Sequence, residues 1–210
     1  MTPRRRTLTL GAGVLALASV LLAGCSSSED PLAGFGSGSN QNYISGDGTE
    51  LELAPAERGE PIGFEGETPD GKTISSAELE GEVFVVNFWY AGCPPCRAEA
   101  ADLEATYQEF ADDGVQFVGV NTYDDGPTAE AFERTYGITY PSILDAQRNR
   151  VQLAFAGDVP PNAVPTTLVM DREGRVAARI SGRIGAPSIL ESMIQRVLDE
   201  SGASTADEDT

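Results

Sequence analysis

The sequence predicts an α/β domain with a mixed central sheet flanked by helices, and three observations carry that expectation. Val83-Phe84-Val85-Val86-Asn87-Phe88-Trp89 is nearly all β-branched or aromatic, the mark of a strand buried on both faces. Soon after it come Cys93-Pro94-Pro95-Cys96, with prolines where a helix starts and a missing N–H costs little. A second apolar run, Val115 to Val120, follows that helix, and the chain closes on an antiparallel pair and a last helix. Such a sheet has both parallel and antiparallel neighbours.

Taken in order, Thr49 to Leu53 reads as a short leading strand, and Gly63 to Ile74 as a hairpin turned at Pro69-Asp70-Gly71. That hairpin is an N-terminal extension of the domain. Ser75 to Leu79 is one helical turn, since a serine followed by an acid fits an N-cap. Pro94 to Asp112 is a helix with Leu103, Tyr107 and Phe110 on one face. Pro127 to Tyr136 is a second, with Ala131, Phe132 and Tyr136 facing inward. Thr166–Met170 and Arg175–Ser181 form a pair turned at Asp171-Arg172-Glu173-Gly174. The closing helix runs from Pro187 to Glu200, its face made by Ile189 or Leu190, Met193, Ile194 and Val197. This is the element order of the thioredoxin fold.

The ends read differently. Arg4, Arg5 and Arg6 precede an apolar stretch from Leu8 to Ala23, the pattern of an export signal; it is short for a membrane-spanning helix, which needs about 20 apolar residues. Leu22-Ala23-Gly24-Cys25 resembles the lipobox of bacterial lipoproteins, which implies cleavage before Cys25 and lipid on that cysteine. The Arg5-Arg6 pair leaves the export route open, and an uncleaved anchor or an ordinary secretory cleavage are the plainer readings. Residues 1–24 are thus expected to be a lipoprotein signal peptide and 25–50 a Ser- and Gly-rich flexible tether. Residues 51–201 are expected to form the domain and 202–210 an acidic disordered tail. The expected location is the cell membrane, on its extracytoplasmic face, held by lipid.

The net charge is −19; three of the 14 basic residues and none of the 33 acidic ones fall in residues 1–24, so the remainder carries −22. Such a body excludes nucleic acid as a partner and a basic membrane-binding patch. Histidine is absent, which removes the commonest general base and metal ligand.

Two thiols two residues apart hold a metal, staple a fold or pass electrons. Zinc needs two further ligands, for which there is neither a histidine nor a second thiol pair, so no metal site is expected. A structural disulfide closing so small a loop stabilises little. Electron transfer remains. As the cap of the helix, Cys93 faces unpaired N–H groups and the positive end of the helix dipole, which favour thiolate. Cys93 is expected exposed and attacking, with Cys96 one turn deeper, resolving the mixed disulfide.

NFWYAGCPPCRAE, together with PDGKTISSAELEGEVFVV, YGITYPSILD and VPTTLVMDREGRV, resembles the TlpA/ResA-like thiol-disulfide oxidoreductases of the thioredoxin superfamily over about Ala56 to Glu200. The resemblance implies that Pro165 is a cis proline packed on the cysteine pair and that the Val164 backbone pairs with an extended substrate. It implies a proton-handling role for Glu99, which on its own reads as an acid near a helix N-terminus. It also implies protein disulfides as substrates, those of apocytochrome c among them, and a membrane electron donor of thiol–disulfide type. No cofactor is called for. Two departures stand out: Asn87 occupies a slot where thioredoxin has a buried aspartate, and Gly92 precedes the first cysteine where many members have tryptophan. Pro94-Pro95 and the acidic body tilt the pair towards a reductant. A peroxiredoxin-type thiol peroxidase and a non-catalytic binding lipoprotein are the alternatives.

Overall fold

The computed structural model describes residues 43–44, 49–160 and 163–204. The expected signal peptide, Cys25 and most of the tether lie outside the described residues, as does the end of the acidic tail.

Among the described residues, seven strands form one sheet. They are β1 (Tyr43–Ile44), β2 (Glu50–Glu52), β5 (Phe84–Trp89), β6 (Gln116–Asn121), β7 (Ser142–Leu144), β8 (Thr166–Met170) and β9 (Val176–Ser181), in the spatial order β1-β2-β9-β8-β5-β6-β7. β5, β6 and β7 run parallel, whereas β8 pairs antiparallel with β5, β9 with β8 and β2 with β9. The expected hairpin is a separate two-stranded sheet of β3 (Glu65–Glu67) and β4 (Thr73–Ser75). Gly71 at φ 80° supplies the left-handed turn residue. The helical turn after it, Ser76–Glu78, closes with a capping box between Ser75 and Glu78.

Side-chain alternation along β5 divides the core. Phe84, Val86 and Phe88 join Val118, Val120, Leu168 and Met170 on one face, beneath Phe64, Leu79 and Phe155. Val83 and Val85 join Phe117, Val169 and Ile180 on the other. That second face is covered by α1 (Pro94–Phe110) and α4 (Pro187–Ser204), through Leu103, Phe110, Leu190, Met193, Ile194 and Val197. Asn87 and Trp89 have the same parity as Val85. The alternation therefore aims one amide and one indole at the start of α1.

Four expectations change. Ala131 is exposed, and α2 (Gly126–Tyr136) buries Ala129 in its place, beside the expected Phe132. β7 and α3 (Arg150–Ala154) were not among the expected elements. Three residues are too few to display a period, and α3 begins at Asn149 (φ 51°), its first amides held by Asp145 rather than by its own cap. β1 falls inside the stretch expected as tether and pairs Ile44 with Leu51. α4 continues to Ser204, past the expected end at Glu200 and into the expected tail.

Candidate active site

β5 delivers the chain to Tyr90-Ala91-Gly92, and Cys93 is the N-cap of α1 with Pro94 and Pro95 next. The Cys93 sulfur accepts the Cys96 N–H at 3.2 Å. Prolines at the first two helical positions remove two of the donors that a helix start ordinarily presents, so Cys96 supplies the first amide that reaches the sulfur. Cys93 and Cys96 are joined by a disulfide with their Cα atoms 5.3 Å apart. The pair packs in a cluster with Trp89, Ala100, Ala129 and Phe132, against which Tyr90, Ala91 and Val164 also lie.

One expectation fails here. Cys93 is 1% exposed, as closed off as Cys96. Bonding to Cys96 holds its sulfur against the helix start, and the residues of the loop and Val164 pack around the cluster. The oxidised pair is therefore shielded.

The helix period that buries Cys96, Ala100, Leu103 and Phe110 also buries Glu99, 1% exposed. Its Oε1 accepts from Asn87 Nδ2 at 3.4 Å and its Oε2 from the Ile184 N–H at 3.0 Å. Asn87 Nδ2 donates as well to Thr167 Oγ1 at 3.0 Å. Burial pushes the Glu99 carboxyl up to about 7; the hydrogen bonds from Ile184 and Asn87 pull the other way and do not cancel it. At neutral pH the group is poised to give or take a proton. Asn87, read from sequence as the loss of an acid, is in the structure the donor that holds the acid supplied by α1.

The Val164–Pro165 bond is cis, and the Pro165 carbonyl accepts from Gly182 N–H at 2.9 Å. Val164 packs against the cysteine cluster and also lines a groove of about 260 Å³ with Phe88, Thr122, Leu153, Ala156 and Val159. Among the described residues, the exposed large apolar side chains are Leu153 (75%) and Tyr123 (78%). Leu153 is on that groove, and the Tyr123 ring lies 5.8 Å from Tyr90 in the redox loop.

Gly119 of β6 lets the site close. A Cβ there would collide with Ser142 Oγ and stand 2.8 Å from the Trp89 indole nitrogen. With no side chain in the way, Trp89 lies 4.4 Å, centroid to centroid, from Phe132.

Residues 59–179 match the AhpC/TSA family. The chain belongs to that family. Within it, the chain is a TlpA/ResA-like thiol-disulfide oxidoreductase, and its thioredoxin fold is that of its structural neighbours. The thiol-disulfide oxidoreductase ResA of Bacillus subtilis is 34% identical over 128 residues, covering 61% of this chain and 66% of that protein. The thiol:disulfide interchange protein HelX of Rhodobacter capsulatus is 34% identical over 155 residues, covering 73% and 77%. Among solved structures, a DsbF homologue from Corynebacterium diphtheriae is 31% identical with a TM-score of 0.64, covering 76% of this chain and 99% of that one.

Proposed function

We propose that this oxidoreductase is a disulfide reductase of the extracytoplasmic face, anchored through lipidated Cys25, with protein disulfides, including those of apocytochrome c, as substrates. One observation carries the reading: a Cys93–Cys96 disulfide caps α1 three residues before a buried carboxyl poised near neutrality. In the reduced enzyme, Cys93 thiolate attacks a substrate disulfide; a mixed disulfide forms and one substrate sulfur leaves as thiolate. Cys96 passes its proton to Glu99 and attacks the Cys93 sulfur. The Cys93–Cys96 bond forms, the second substrate thiolate leaves, and two electrons have moved to the substrate. A membrane dithiol donor then reduces the pair again.

The groove beside Val164 and the exposed Leu153 and Tyr123 support an extended polypeptide as substrate, its backbone pairing at Val164 next to cis Pro165. Among the described residues no helix is long and apolar enough to cross a membrane.

The test is Cys96→Ala, which is expected to hold its substrate as a mixed disulfide on Cys93. Failure to trap any protein under reducing-donor conditions would sink the reading. Equilibration of the wild type with glutathione tests direction, since a potential as high as those of strong oxidants contradicts a reductase. Peroxide consumption persisting in Cys96→Ser would favour the peroxidase alternative instead.

A further inference from the structure

The loop between β5 and α1 must set where the Cys93 sulfur lies, yet it is only three residues long and belongs to neither element. Its ends are tied by the backbone: Thr122 N–H donates to the Trp89 carbonyl at 3.0 Å, and Cys93 N–H donates to the Tyr90 carbonyl at 3.1 Å. Its middle is tied by a side chain. The Ala91 N–H donates to Asp124 Oδ2 at 2.6 Å, a short charge-assisted bond.

Asp124 is itself aimed. Buried Asn121, the last residue of β6, accepts from the N–H groups of Tyr123 (3.1 Å) and Asp124 (2.7 Å), folding residues 121–124 into a tight turn. The Asn121 Nδ2 then donates to the same Asp124 Oδ2 at 2.9 Å. One carboxylate oxygen thus gathers the loop amide and the amide of the strand next door. β6 is parallel to β5, with Asn121 level with Trp89, so the turn emerges beside the redox loop.

We infer that Asp124 is a positioning residue for the nucleophile: by holding Ala91 it fixes the path of the loop and so the seat of Cys93 on the helix start. This rests on Cys93 being the attacking cysteine. Its effect is geometric and needs the acceptor oxygen rather than the negative charge. The effect should be large, because misplacing a reacting atom by about 1 Å costs up to about 100-fold in rate.

The experiment uses the full chain carrying Cys96→Ala, in which formation of the mixed disulfide between Cys93 and a cysteine-containing peptide disulfide reports how the nucleophile is seated against a docked substrate. Asp124→Ala is expected to slow mixed-disulfide formation by about tenfold or more. Asp124→Asn, which keeps an oxygen able to accept from both amides, is expected to return to within about twofold of the parent. Thermal melts of all three are expected to differ little. Asp124→Ser, too short to reach Ala91, replaces the alanine variant if that one does not fold. Mixed-disulfide formation unchanged in Asp124→Ala or Asp124→Ser overturns the inference, and so does an asparagine variant as slow as the alanine one. A Cys93 that is inert even in the Cys96→Ala parent would instead sink the redox reading itself.

Discussion

Glu99 sits where the period of α1 calls for an apolar side chain, and its raised pKa follows from that placement. Folding favours the protonated form, since the folded value is about 7 against an ordinary 4.5. The stabilisation is therefore complete below about pH 4.5 and is lost as pH rises through 7. The loss is on the order of 3 kcal/mol. Chemical denaturation at pH 4 and pH 8 is expected to show that Glu99→Gln loses less stability across the interval than wild type. A difference of the same size in both proteins would contradict the assignment. The same substitution is expected to slow release of substrate from the mixed disulfide at pH 7 by up to about 100-fold, read by rapid mixing. At the residue scale, the sequence marked Cys93 and Cys96 by their spacing at a helix start, and Glu99, Val164 and Pro165 only through the family resemblance. It could not mark Asn87 or Asp124 as their partners, since those contacts cross between elements.

At the scale of elements, α1 is a dipole with its first donors removed. Pro94 and Pro95 present no N–H, and the Cys93 sulfur is held by the Cys96 amide. Restoring donors by Pro94→Ala with Pro95→Ala stabilises the thiolate, and so the reduced form. The equilibrium with glutathione is expected to move towards the dithiol by about tenfold, the effect of one hydrogen bond to a charged group. An unchanged equilibrium would show that these amides do not tune the pair. α3 serves differently, offering Leu153 to the groove beside Val164. Leu153→Glu is expected to lower kcat/KM for an apolar cysteine-containing peptide disulfide by about tenfold, with reduction of a small aromatic disulfide unchanged. Equal losses for both would assign Leu153 to the fold instead. α3 was hidden in the sequence because it is a single turn or so, closed by Asp145 from outside.

For the whole molecule, the chain entering the domain is locked to its last helix. Arg58, its side chain 2% exposed, bridges Asp171 at 3.0 Å and Glu200 at 2.6 Å, and Arg175 shares Asp171 at 2.8 Å. Without Arg58, Asp171 keeps only Arg175 and its backbone donors and part-exposed Glu200 loses its bridge, so Arg58→Ala is expected to cost about 2 kcal/mol, measured by denaturant unfolding. A change under about 0.5 kcal/mol would mean that the network holds nothing together.

By itself the sequence determined the class of the sheet, the order of its main strands and helices, and the cysteine pair at a helix start. Those properties are local: they follow from hydrophobic period, from proline and capping chemistry, and from spacing within one segment. The tertiary structure alone decided that the oxidised pair is shielded, that Asn87 and the Ile184 amide hold Glu99, and that Asp124 grips the redox loop. Each depends on residues far apart in the chain being brought to one end of the sheet, and no local pattern carries that distance.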